Sequence, residues 1–276
     1  MELRQRSPFT AAITFAALIF LYLPLVVVVL FSFHRTAGLS FPFEGFSLRW
    51  YRAVWSSDDF RSAALNSLWV ALPTAGLTLI LGTLAAYALS RTSSRMRAPL
   101  ALLFFLPITL PGLFLGLALL VFFARVHLDL SLKTVVMAHL VYVFPYFLLM
   151  AVAVLDRLDP ALEEAAADLG ASPTKVFRRV TLPQIWPVLV GATCLAFALS
   201  FDEFIITFFV AGSDPTLPLY IWSRLRRTID PSINVISTWL LLISLTLWVV
   251  AFVLTLRAER RRARALGSAV AENEIG

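Results

Sequence analysis

Charge is scarce in this chain: 14% of its 276 residues are Asp, Glu, Lys or Arg, where a soluble domain carries about a quarter. With 59% hydrophobic residues, too little polar surface is left to cover a soluble core, and disorder is excluded. The single cysteine, Cys194, excludes a disulfide framework. The three histidines, His34, His127 and His139, are far apart, and no His-Glu-x-x-His occurs. Nothing in this spacing supports a metal site. No glycine is followed by lysine, so the chain has no Walker-type phosphate cradle. There is no Gly-x-Ser-x-Gly elbow. Energy for any transport must come from an ion gradient or from another subunit.

What is present is long apolar sequence. Charge-free runs cover 7–34, 62–90, 98–124, 134–155, 180–201 and 231–256, each at least 22 residues long. A membrane-spanning helix needs about 20. Six spans are therefore predicted, at about 9–33, 63–90, 100–124, 134–155, 187–210 and 234–256. The fold class is an all-α polytopic membrane protein with one transmembrane domain over 1–276. The first run could be mistaken for a secretory signal, but it exceeds an h-region of 7–15 residues. It reads as an uncleaved span. Pro24, Pro73, Pro107, Pro111 and Pro145 fall within spans. They mark either a bundle that moves or the ordinary frequency of proline in membrane helices. Gly112 and Gly116 form a GxxxG that permits close helix approach.

Lysine and arginine set the orientation. Segments 1–8, 91–99, 156–186 and 257–276 hold 14 of them, and the alternate segments hold 9. Both termini are accordingly read as cytoplasmic. The basic tail 257–276 is read as an anchor on anionic lipid. The net charge of +6 reflects topology, and no nucleic-acid partner is expected.

The long polar loop 156–186 is the most unusual segment. Asp159-Pro160 is an N-cap and first-turn pair. Glu163 and Glu164 lie near the helix start, where the dipole favours acids. Leu162, Ala165, Ala166 and Leu169 share one face, and Gly170 is the expected stop. A second short helix is expected over Thr174–Val180, with Leu182-Pro183 breaking the chain before the fifth span. An acidic, alanine-rich amphipathic helix suits a protein groove better than anionic lipid.

Glu164-Ala165-Ala166, three residues, Gly170, nine residues, then Val180-Thr181-Leu182-Pro183 resembles the cytoplasmic signature of bacterial ABC importer permeases. Val180 in place of isoleucine is the only departure. The resemblance extends over essentially the whole chain and implies a type I ABC importer permease core. It implies that the loop docks in a groove of an ATP-hydrolysing subunit, with Glu163, Glu164, Ala165, Ala166, Asp168, Gly170, Val180, Leu182 and Pro183 carrying the coupling. It further implies two ATP-binding subunits, a second and different permease, and a periplasmic or lipid-anchored binding protein. ATP and magnesium would be bound by the partner ATPase, with no cofactor and no catalytic residue in this chain. The expected place is the bacterial cytoplasmic membrane.

In the fifth span, Asp202 and Glu203 are ionisable residues within apolar sequence, and such residues are functional candidates. Phe201, Asp202, Glu203 and Phe204 form the candidate substrate path. The alternative is structural, a carboxylate capping a helix or pairing with Arg224, Arg226 or Arg227. Residues 200–209, Ala211-Gly212, Thr216-Leu217-Pro218-Leu219 and Asp230-Pro231-Ser232-Ile233-Asn234 resemble the second permease of spermidine/putrescine importers. Related importers take iron(III), thiamine, phosphonates or opines. Acids with aromatic neighbours (Phe201, Phe204, Phe208, Tyr220, Trp222) suit the ammonium groups of a polyamine. A gradient-driven carrier is the competing class, but no repeat between the halves is evident. An intramembrane enzyme would need Ser200 and Asp202 with a histidine, and His139 is expected at the wrong depth for Ser200.

Overall fold

A computed structural model of the chain describes residues 8–37, 43–227, 230–246, 249–250 and 253. Arg4, Arg6, the arginine tail 257–276 and most of the far end of the sixth predicted span lie outside the described residues. Among the described residues the chain is helical, apart from one isolated bridge between His34 and Phe46. The helices are α1 (Pro8–Ser32), α2 (Arg49–Trp55), α3 (Asp58–Arg91), α4 (Ser94–Thr109), α5 (Gly112–Arg125), α6 (Leu132–Leu155), α7 (Pro160–Asp168) and α8 (Pro173–Val176). A π-turn (Phe177–Thr181) leads into α9 (Leu182–Phe201), then α10 (Ile205–Val210) and α11 (Leu217–Leu225). A last apolar helix, α12, covers Pro231–Thr246. Among the described residues, four helical stretches are long and apolar enough to cross a membrane, or five with a bent pair.

The chain forms two compact units, 1–62 with 220–243 and 63–219 with 244–276. In the first, residues 9–27 of α1 are exposed throughout, as suits a helix facing lipid. Beyond α1 an aromatic cluster closes around the buried His34. Its ring lies 5.4 Å from Phe31 and 5.0 Å from Phe43, and Thr36 Oγ1 is 3.0 Å from its Nε2.

The second unit is built on α6, which is buried along much of its length. One core cluster joins Leu115, Val135, Ala138, Ile206 and Val210. Another joins Ala86, Phe147, Leu148, Leu155, Ile185 and Leu189. The apolar residues of α6 point into both.

Three local expectations are revised. The segment read as one span over 100–124 is a helix pair, α4 and α5, bent by 104°. Leu110 takes extended backbone before Pro111, the conformation that a residue preceding proline prefers. The expected break at Leu182-Pro183 does not occur, and helix runs on from Pro173 to Phe201. Pro183 falls in the first turn of α9, and the backbone enters that helix through the π-turn: Leu182 N–H bonds Phe177 O, and Gln184 Nε2 reaches Val180 O at 2.9 Å. The fifth predicted span, 187–210, is instead interrupted, because α9 ends at Phe201 and α10 starts at Ile205.

Candidate functional site

Two places gather the polar groups that the sequence singles out. The first is the loop 156–186. The Asp159 carboxylate accepts from Ala161 N–H at 3.0 Å, and Pro160 fills the first turn of α7. The helix ends in a Schellman pair, Ala171 N–H to Ala166 O at 3.1 Å and Gly170 N–H to Ala167 O at 2.8 Å. Gly170 has φ +81°, a left-handed conformation that a side chain would strain.

No residue of α7 is fully buried. Leu162 is 49% exposed and Leu169 is 90% exposed, so the apolar face presents to the outside. Glu164, Ala165, Asp168 and Gly170 are exposed with it, and Ala166 is half-buried. Glu163 differs from its neighbour. Its Oε1 sits 2.6 Å from Arg91 Nη2 on α3 and accepts from Thr181 Oγ1 at 2.6 Å. The second half of the signature lies elsewhere: Val180, Leu182 and Pro183 run from the π-turn into the start of α9, with Leu182 packed on the core. A second ion pair joins Arg97 of α4 to Asp156 at the end of α6.

The second place is the interruption between α9 and α10. Asp202 is exposed, and its carboxylate has no hydrogen-bond or ion-pair partner among the described residues. Glu203 is half-buried, and its Oε1 accepts from Ile206 N–H at 2.9 Å. It therefore caps α10, where the helix dipole favours an anion. Phe201 is buried and stacks on Phe197 at 5.6 Å, which makes it a packing residue. Phe204 is half-buried and lies 6.0 Å from the exposed Phe208. Tyr142 of α6 packs edge-on to Tyr146, with ring centroids 5.6 Å apart.

His139 sits beneath this interruption. It is 1% exposed, and both ring nitrogens are engaged, Nδ1 with Ser200 Oγ and Nε2 with Thr207 Oγ1, each at 2.8 Å. The Thr207 hydroxyl donates to Glu203 O at 2.8 Å. A hydroxyl has one hydrogen, so Thr207 must accept from Nε2–H. Nδ1 then accepts from Ser200. The chain of bonds runs from Ser200 through His139 and Thr207 to the carbonyl of Glu203, and it fixes the interrupted backbone to α6. The expectation that His139 lies at the wrong depth for Ser200 is thus corrected. His139 is seven residues after the start of α6 and Ser200 one residue before the end of α9, and antiparallel helices bring those ends level. The partners of the ring are hydroxyls, so the residues do not make a Ser-His-Asp triad.

α10 is held from its other sides as well. A Cβ on Gly116 would lie 2.8 Å from Phe209 Cδ2 and 3.2 Å from Ile206 Cα. The GxxxG therefore lets α10 press against α5. Thr134 Oγ1 lies 2.7 Å from Val210 O and 2.6 Å from Ser131 O, two carbonyls that share its one hydrogen. Sequence reasoning missed Arg91, Thr181, His139 and Thr207 as members of these networks. The available signal was a polar side chain inside or beside an apolar run.

Residues 78–264 match the family described as binding-protein-dependent transport system inner membrane component. The chain is 36% identical over 268 residues to the putrescine transport system permease protein PotI of Escherichia coli K12, covering 94% of this chain and 95% of that protein. It is 32% identical over 246 residues to the spermidine/putrescine transport system permease protein PotC of Haemophilus influenzae, covering 88% and 95%. Among solved structures, a chain of the bacterial alginate ABC transporter in complex with an alginate pentasaccharide-bound periplasmic protein is similar with TM-score 0.67 and 17% identity, covering 93% of each chain. A chain of the inward-facing MetNI methionine ABC transporter is similar with TM-score 0.62 and 16% identity, covering 75% of this chain and 95% of that one.

Proposed function

We infer the function from the family to which the chain belongs, the binding-protein-dependent transport system inner membrane components. It is the membrane-embedded permease subunit of an ABC importer, and it is not itself an enzyme. Such permeases work with a substrate-binding protein and a separate ATPase. The cargo we propose is a polyamine. One observation carries that choice: permeases of putrescine and of spermidine/putrescine align with nearly the whole chain at 32–36% identity.

The site chemistry supports the same reading. Asp202 offers an exposed carboxylate two residues before the half-buried Phe204. Ammonium groups are held by this combination of anion and aromatic face. We assign Asp202 and Phe204 to the substrate path. Glu203 and Phe201 shape it from behind, one as a cap and the other by packing. The Leu162–Leu169 face of α7, with Glu164, Ala165 and Asp168, is proposed as the surface that enters the ATPase groove. Two ATPase subunits bind ATP and magnesium, and closure of the pair pulls on α7. A second, different permease completes the path. Six crossings with both termini in the cytoplasm complete this proposal; the helix interrupted at 202–204 and the bent α4–α5 pair each count as one crossing.

The test is uptake by proteoliposomes that hold the chain with its partner permease, ATPase and binding protein. Radiolabelled putrescine or spermidine should enter only when ATP is supplied on the ATPase side. Uptake that ignores ATP and collapses with an uncoupler would refute the importer reading in favour of a gradient-driven carrier. ATP-driven uptake of a thiamine or an iron(III) complex, with no polyamine uptake, would refute the choice of cargo alone.

A further inference from the structure

We propose that Arg91, Glu163 and Thr181 form the joint through which displacement of α7 reaches α3 and α9. This inference rests on the importer reading and adds to it the residues that transmit the motion. α7 has no fully buried residue, so burial of its own side chains does not lock it to the bundle. Glu163 supplies a directional attachment. A single carboxylate oxygen takes both the Arg91 guanidinium at the end of α3 and the hydroxyl of Thr181, each at 2.6 Å. Thr181 is fully buried, and Glu163 is the less exposed member of its ion pair, 18% against 34% for Arg91.

The attachment is braced on the other side. The Arg91 guanidinium lies over the Tyr87 ring at 5.5 Å, and Tyr87 packs on Phe177 at 4.8 Å. Phe177 and Thr181 are the first and last residues of the π-turn. A closed circuit thus runs from α7 to α3, from α3 to the π-turn, and from the π-turn back to α7. Glu164, one residue on, is exposed. Adjacent residues on a helix differ by about 100° in direction, so the two glutamates divide the work. Glu163 faces inward and pulls on the bundle; Glu164 faces the docking side.

The mechanical consequence is specific. When α7 is drawn toward the ATPase, the Glu163 carboxylate adds to the flanking chain links a direct route for load to α3 and to the π-turn at the head of α9. α3 and α9 then move together.

The experiment uses the full importer in proteoliposomes and reads polyamine molecules imported per ATP hydrolysed. Arg91→Glu should lower that ratio at least tenfold. Arg91→Glu combined with Glu163→Arg should bring it back to within threefold of wild type, because the reversed pair restores the attachment. Thr181→Val, nearly isosteric, should lower the ratio about twofold and tests the joint even where the charge variants assemble poorly. The joint is overturned if Arg91→Glu and Thr181→Val import at the wild-type ratio, or if the reversed pair does no better than the single variant. A wild-type complex that does not import on ATP would instead overturn the importer reading, and the joint with it.

Discussion

Replacing His139 puts the hydrogen-bond chain at the α9–α10 interruption to a quantitative test. His139→Leu keeps side-chain bulk near the original and removes two bonds of 2.8 Å. Ser200, 3% exposed, is left with no other hydroxyl or ring partner in that chain. Interhelical hydrogen bonds in membrane proteins contribute about 0.6 kcal/mol on average and up to about 1.7. Two of them set a loss of about 1–3 kcal/mol, and the stranded Ser200 hydroxyl favours the upper half. Ser200→Ala strands Nδ1 and should cost about 1 kcal/mol. Once His139 is gone the same alanine should cost little, since both partners are then apolar. The double variant should therefore be more stable than additivity requires, by about 1 kcal/mol. Thr207→Val should cost more than Ser200→Ala, because it breaks the bond to the ring and the bond to Glu203 O together. The assay is unfolding of the purified chain in mixed micelles by SDS titration, followed by tryptophan fluorescence. Single-variant losses that add to within about 0.3 kcal/mol would mean the two side chains do not interact, and would refute the bond chain.

Gly116→Val should destabilise the chain by about 1–3 kcal/mol through overpacking against Phe209 and the Ile206 backbone, whereas Gly112→Ala, whose Cβ would sit 3.9 Å from Ile205, should be tolerated; the same unfolding assay separates them. Leu169→Ala removes an exposed apolar side chain and should leave stability unchanged. Loss of about 1–2 kcal/mol of burial on docking should weaken ATPase association about tenfold, measured by co-sedimentation with the ATPase subunit. Asp202→Asn should raise the KM for polyamine uptake several-fold with normal assembly. Glu203→Gln should instead lower stability by about 0.5–1 kcal/mol, by weakening a charged cap; the reverse pattern would exchange their roles.

Some of this was legible residue by residue. Apolar run length marked α1, α3 and α6, since desolvation of a segment depends on its own composition. Asp159, Pro160 and Gly170 bounded α7 as expected, because capping is a local transaction between a side chain and the nearest few amides. The Pro183 break failed for an instructive reason. Local sequence registers the missing donor, but the π-turn that carries the helix past it is visible only in the folded chain. The bend at Leu110-Pro111 was half legible. Proline announced a kink, and its size of 104° depends on what α5 packs against.

By itself, then, the sequence determined the membrane class, the amphipathic helix of the polar loop and its start and stop. All of these follow from transfer free energy and short-range backbone chemistry. Only the tertiary structure decided which of two adjacent glutamates turns inward, which of two adjacent acids caps a helix, and what a buried histidine does. His139 meets its partners 61 and 68 residues away, and Thr181 meets Glu163 across 18. Pairings of that kind are fixed by how helices pack against one another, a relation that no single stretch of chain contains.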